Sequence, residues 1–276
     1  MTRRGHTLSD APKGRVLAVI VPVADLWIEP GGKDSGRQTQ VLMNEPLYCL
    51  GEQDNWYRVE APEQQKLTAG NWGGYPGWIA KDRTAFIEGP PDLNGIVARG
   101  TLTVPDDLSS ATGLFLSAGT RVTLTGECRR NLTRIALPGG NMAWVCSADT
   151  VGTDVSEGPA GMRRRIVETA MSFVGTPYLW GGRSSYLPCA GGRDSAEETG
   201  VDCSGLVNLS YRTAGIDIPR DARDQRAAAY PAPAGELEAG DLIFLSSGDG
   251  PDRIDHVMLF LGDERFIEAA QTGKLV

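Results

Sequence analysis

Cys203 and His256 are the residues in this sequence best suited to covalent chemistry. Cys203 lies in Asp202-Cys203-Ser204-Gly205-Leu206-Val207, where Asp202 suits an N-cap and Cys203 opens a helix expected over 203–214, ended by Gly215. A helix N-terminus carries partial positive charge and unpaired N–H donors, and both stabilise a thiolate. Asp202 acts against that charge, so the thiol needs a basic partner. The chain has two histidines. His6 sits in a polar N-terminal tail. His256 heads the apolar run His256-Val257-Met258-Leu259-Phe260-Leu261, a strand whose first residue can face a cleft. Together they make an imidazolium–thiolate pair for nucleophilic catalysis. The alternative is an inert buried thiol with an edge-strand histidine. Inert packing is the expected fate of Cys49, Cys128 and Cys146.

The elements that must hold this pair are expected to be of mixed type. Ile166, Val167, Ala170, Met171 and Val174 recur at helical spacing after Pro159, with Gly175 placed for a C-cap. Strands follow at 241–245, 256–261 and 265–269. Helices first and strands after indicate an α+β domain over 159–276. Residues 15–89 read as short strands (16–23, 40–43, 47–50, 56–59 and 77–79) bounded by Gly, Pro, Asn and Asp, the pattern of a small barrel or sandwich. Residues 92–152 repeat that texture at 121–125, 134–137 and 142–146. Ala143-Trp144-Val145 echoes Gly77-Trp78-Ile79, so two small all-β modules are expected, with one irregular β domain as the alternative. Residues 1–14 form a tail, and polar breaks at 89–92 and 151–158 serve as linkers.

Composition excludes several classes. The 276 residues, 41% hydrophobic and 22% charged, fit two or three folded domains rather than a disordered chain or a coiled coil. A net charge of −8 argues against a grip on nucleic acid or on an anionic membrane surface. No apolar run approaches the roughly eighteen residues needed to span a bilayer. Five cysteines without a C-x-x-C pair, and two histidines, make a zinc site improbable, and no cofactor is expected. The odd cysteine count points to a reducing compartment, and 16–23 reads as a strand rather than a leader. A cytoplasmic location is therefore expected, or a secreted or periplasmic one if a leader has been removed. The final residues, Lys274-Leu275-Val276, read as part of a strand.

The C-terminal region resembles the NlpC/p60-type cysteine peptidases, which have a papain-like fold. The resemblance rests on Gly175-Thr176-Pro177-Tyr178-Leu179-Trp180-Gly181-Gly182, Asp202-Cys203-Ser204-Gly205, Ile218-Pro219-Arg220-Asp221, Ala239-Gly240-Asp241-Leu242-Ile243-Phe244 and Asp255-His256-Val257, with Phe260-Leu261-Gly262-Asp263 after it. It implies hydrolysis of amide bonds in murein peptides, usually between D-glutamate and a diamino acid. The family's third catalytic residue, most often His, falls here on Glu268 in Phe266-Ile267-Glu268-Ala269, and a carboxylate can orient the imidazole. Gln271 or a backbone carbonyl is the alternative orienting group. Tyr178 matches an oxyanion donor acting with the Cys203 N–H, and Trp180 a groove-lining position. The stretch 183–200 looks longer than usual, a loop near the cleft that holds Cys189, a possible redox partner of Cys203.

The N-terminal modules resemble bacterial SH3-like barrels, with Gly74-Tyr75-Pro76-Gly77-Trp78-Ile79 as the closing segment of the first. In that architecture a module shuts the non-primed end of the groove. Asp221 then matches the residue that pairs with the free α-ammonium of an N-terminal L-Ala, with Tyr75 the module's contribution. Ala222 stands where the family often has Ser, which leaves Ser204 and Asp202 as the nearby polar residues for D-Glu. The implied function is a γ-D-glutamyl-L-diamino acid endopeptidase on free murein peptides. The alternatives are a catalytically impaired peptide-binding protein or a γ-glutamyl amidase or acyltransferase of the same fold.

Overall fold

The computed structural model describes residues 15–32, 36–89, 92–106, 113–153, 157–186, 198–233, 235–246 and 253–276. The tail with His6, Cys189 and most of the expected 183–200 loop lie outside the described residues.

The first sheet is built from β1 (Val16–Val19), β2 (Val23–Trp27), β3 (Arg37–Leu42), β4 (Pro46–Gln53), β5 (Trp56–Thr68), β6 (Asn71–Ala80) and β7 (Thr84–Ile87). It is antiparallel, in the order β3-β2-β6-β5-β4-β1-β7, over a core that includes Leu17, Leu26, Val41, Leu47 and Ile79. The single strand expected over 16–23 is in fact two. Pro22 has no N–H for a ladder, and its carbonyl accepts the Met43 N–H at 3.2 Å, turning the chain from β1 into β2. The expected 56–59 strand runs on to Thr68. Pro62 is absorbed in a bulge between the pairs Ala61–Tyr75 and Gln65–Gly74, beyond which the β5/β6 hairpin continues to its turn.

The second sheet uses β8 (Gly95–Val97), β9 (Thr101–Leu102), β10 (Val104–Pro105), β11 (Phe115–Leu116), β12 (Arg121–Arg129), β13 (Leu132–Ala136), β14 (Met142–Cys146) and β15 (Thr150–Gly152). Its order is β10-β14-β13-β12-β8-β15, with β9 and β11 paired separately. This repeats β2-β6-β5-β4-β1-β7 of the first sheet. In both, a 3-10 turn (Lys81–Arg83, Ser147–Asp149) follows the hairpin and leads the chain back to pair with the opening strand. Neither sheet closes on itself: β3 and β7 are the edges of one, β10 and β15 of the other.

The C-terminal region contains α1 (Gly158–Ser172), α2 (Cys203–Thr213) and α3 (Ala222–Ala228), then β16 (Leu242–Ser246), β17 (Ile254–Gly262) and β18 (Arg265–Ile267) in an antiparallel sheet of that order. Helix α3 was not expected; Asp221 is its N-cap. Helix α2 is buried along most of its length because it is packed on several sides. Its Leu206 and Leu209 share a core with Ile166 of α1, Val257 of β17, Val23 and Leu42 of the first sheet, and Ala118 near the second. Three fully buried arginines, Arg183, Arg212 and Arg220, line the seam between the N-terminal and C-terminal parts. Arg183 meets Glu45 at 2.6 Å, and Arg212 meets Glu63 at 2.6 Å and Asp217 at 2.9 Å.

Candidate active site

The first turn of α2 is fixed by its cap and by a missing side chain. Asp202 accepts the Gly205 N–H at 2.7 Å on Oδ1 and the Gly181 N–H at 3.1 Å on Oδ2. A Cβ on Gly205 would lie 2.2 Å from the Gly182 carbonyl oxygen, so the close approach of the Gly181-Gly182 turn to α2 requires glycine there. Cys203 is thereby held at the helix start, half-buried. Backbone N–H groups of Val257 and Ser204 donate toward its sulfur. Val257 is the residue after His256, so the thiol is seated against the strand that carries the imidazole. Cys203 and His256 line one cleft of about 530 Å³, together with Tyr178, Trp180, Tyr75 and Asp221.

The His256 ring is oriented from its far side. Its Nε2 lies 2.5 Å from Glu268 Oε2, with Glu268 just beyond β18. Nδ1 is then the ring nitrogen left for exchange with the thiol. The helix mouth alone does not ionise Cys203: burial and then the Asp202 charge push the thiol up to about 11, against the pull of the two N–H groups and Arg220. Ionisation of the thiol therefore needs the basic partner expected from the sequence, and His256 is the imidazole lining the same cleft. Burial, followed by Asp202 and Cys203, also pushes the Tyr178 phenol up to about 12, so it stays a protonated donor at neutral pH. The Tyr178 backbone N–H is held by the Lys274 carbonyl at 2.9 Å. Trp180 stands 71% exposed on the rim, a flat apolar surface available to a ligand.

Asp202 and Ser204 line the cleft, but their side chains are committed to the protein. Arg220 grips both Asp202 oxygens, at 2.9 and 2.8 Å, and donates to Ser204 Oγ at 2.8 Å. The Ser204 hydroxyl in turn donates to Asp202 at 3.3 Å. Both side chains thus position the start of the nucleophile helix as well as facing the cleft. Arg220, quoted in the sequence motif without a role, is the missed residue. Burial acts to lower its pKa, but the Asp202 carboxylate outweighs it and holds the guanidinium charged. Its Nε donates to Thr39 Oγ1 of β3 at 2.7 Å, tying the first sheet to the nucleophile helix.

The β5/β6 hairpin contributes Lys66 and Tyr75 to the lining of the cleft. Tyr75 Oη donates to Asp221 Oδ1 at 3.0 Å, and Lys66 Nζ reaches Asp221 Oδ2 at 2.5 Å. The Arg220 N–H donates to the Gln65 carbonyl at 3.0 Å, and the Leu67 N–H to Asp224 Oδ2 at 3.0 Å. The structure thus brings together Tyr75 and Asp221, the two residues matched to the substrate's terminal ammonium. Lys66 had no sequence signal, because its place depends on the hairpin running past Pro62. Partial burial acts to lower the Lys66 pKa, and the Asp221 contact overrides it and raises it.

Residues 175–276 match the NlpC/P60 family. Gamma-D-glutamyl-L-lysine dipeptidyl-peptidase of Bacillus subtilis (strain 168) is 30% identical over 260 residues, covering 88% of this chain and 75% of that protein. The protein of the same name from Bacillus cereus is 27% identical over 257 residues, covering 91% and 72%. Peptidoglycan endopeptidase RipB of Mycobacterium tuberculosis is 39% identical over 142 residues, half of this chain and 56% of its own. The crystal structure of an NlpC/P60 family protein from Bacillus cereus superposes with a TM-score of 0.78 over 94% of this chain and 92% of that one, at 23% identity, and so shares the fold. Because the similarity extends through both the N-terminal sheets and the cleft, the chain belongs to the NlpC/P60 family and is a cysteine peptidase.

Proposed function

We propose that the protein hydrolyses the γ-D-glutamyl–L-diamino acid bond of murein peptides that begin with a free L-alanine. The observation that carries this reading is that a second part of the chain, the β5/β6 hairpin, places Tyr75 against Asp221 in the cleft. Tyr75 of the hairpin and Asp221 meet at 3.0 Å in the cleft that Cys203 and His256 also line. A carboxylate at a blocked end selects a chain terminus with an ammonium, which a chain interior cannot supply. The relatives named gamma-D-glutamyl-L-lysine dipeptidyl-peptidase support the bond assignment.

In the proposed reaction the Cys203 proton passes to His256 Nδ1 as the sulfur attacks the γ-glutamyl carbonyl carbon. The carbonyl electron pair moves onto oxygen, where the Cys203 N–H and the Tyr178 hydroxyl receive it. Collapse breaks the C–N bond, and the imidazolium hands its proton to the departing amine. Water, deprotonated by His256, then cleaves the thioester and returns the thiol. Glu268 holds Nε2–H and balances the ring's positive charge during both transfers. We take the two N-terminal sheets, 15–89 and 92–152, as SH3-like modules; their shared strand order supports a duplication. Residues 159–276 then form the catalytic domain.

Incubation with L-Ala-γ-D-Glu-L-Lys or its diaminopimelate counterpart is expected to release L-Ala-D-Glu, read by mass spectrometry, and N-acetylation of the alanine is expected to block it. No release from protein whose Cys203 is fully alkylatable would overturn the reading.

A further inference from the structure

The blocked end of the cleft already contains a cation. Lys66 and Asp221 both line the cleft, their side chains are 22% and 31% exposed, and their charges cancel. The Lys66 ammonium also lies 4.2 Å from the Tyr75 ring centroid, so it sits inside the corner rather than projecting into solvent. An incoming ammonium that takes Asp221 therefore meets a neutral pair, not a bare carboxylate. It would place two cations on one anion in a partly desolvated corner, which is unfavourable unless an anion arrives with it.

The geometry can take such an anion. A carboxylate offers about four lone-pair sites, and Tyr75 and Lys66 leave room on Asp221 for one more donor. The Lys66 ammonium has three N–H donors, of which Asp221 needs one. Among the side chains beside Asp221, Ala222 has no polar atom, the Ser204 hydroxyl is committed to Asp202 and Arg220, and the Arg223 Nε lies 3.3 Å from Asp224. We infer that Lys66 is a specificity residue that requires a carboxylate on the substrate beside its terminal ammonium. The bound state is a run of alternating charges: substrate carboxylate, Lys66, Asp221, substrate ammonium. This deepens the proposed function and rests on it. The carboxylate is the free α-carboxylate of the γ-linked D-Glu, and a peptide in which that group is amidated is the one rejected.

The test compares L-Ala-γ-D-Glu-L-Lys with the same peptide α-amidated at D-Glu, using the full chain. Wild type is expected to favour the free acid by about tenfold or more in kcat/KM, the size of one charge-assisted hydrogen bond. Lys66→Met is expected to bring the ratio near one, and Lys66→Arg to restore it. A merely structural lysine would lower both rates and leave the ratio alone. A wild-type ratio near one, or a ratio that survives Lys66→Met, overturns the inference. A rise of both rates alike in Lys66→Met also overturns it and makes Lys66 a simple competitor for Asp221. If wild type cuts neither peptide, the proposed function fails first, and calorimetry with L-Ala-D-Glu and L-Ala-D-isoglutamine decides separately on Lys66. A preference for the free acid that is lost in Lys66→Met supports the inference, and any other pattern overturns it.

Discussion

Cys203 lies under two opposed influences: burial and the Asp202 charge on one side, two backbone N–H groups and Arg220 on the other. Burial and then the Asp202 carboxylate raise the thiol to about 11. Removing the Asp202 charge should lower that value. Asp202→Asn is expected to speed iodoacetamide alkylation of Cys203 at pH 7 and to shift its pH profile downward; a slower or unmoved profile would contradict the assignment. His256→Ala should have the opposite outcome, confining fast alkylation to pH values approaching the thiol's own, about 11. Glu268 acts through the ring it orients. Glu268→Gln is expected to reduce kcat on the order of 10²-fold with a small change in KM, and Glu268→His to retain most of the rate. A change confined to KM would place Glu268 in substrate binding instead.

At the scale of elements, the close approach of α2 to the Gly181-Gly182 turn is a strict requirement. Gly205→Ala sets a methyl 2.2 Å from the Gly182 carbonyl, where only backbone can give way. It is expected to cost about 1–3 kcal/mol in denaturant unfolding and to reduce activity further by moving Cys203. Helix α2, its cap and the His256 strand were legible in the sequence, because local signals determine them: Asp before a helical run, Gly215 after it, and an apolar stretch behind His256. The hairpin side of the cleft was legible only in part. Tyr75 and Asp221 lie in recognisable segments, whereas Lys66 is placed by a hairpin whose length Pro62 disguises. Arg220 was hidden differently. An arginine in sequence reads as surface, and its burial follows only from the meeting of β3, α2 and the Asp202 cap. Helix α3, seven residues long, is too short to show a periodicity.

Across the whole molecule, the two halves are joined by buried charge as well as apolar contact. Burial pushes the Glu45 carboxyl up, but Arg183 and Arg212 outweigh it and hold it below the ordinary carboxylate range. Its stabilising contribution is therefore complete above the pKa it has in the unfolded chain and is lost as pH falls through its lower folded value. Glu45→Gln should flatten the loss of stability on acidification, and Glu45→Ala should cost about 3–5 kcal/mol at pH 7 by leaving buried guanidinium groups unpaired. Equal acid sensitivity of wild type and Glu45→Gln would refute the linkage. The Arg220 guanidinium bridges the same seam, bonded to Thr39 on one side and to Asp202 and Ser204 on the other. A fragment starting at Gly158 would keep the sulfur and the imidazole, yet it would bare three cationic groups along a freshly opened wall and lose the side chains that blunt one end of the groove. The amino-terminal half is therefore better understood as part of the enzyme's mould than as a detachable tether.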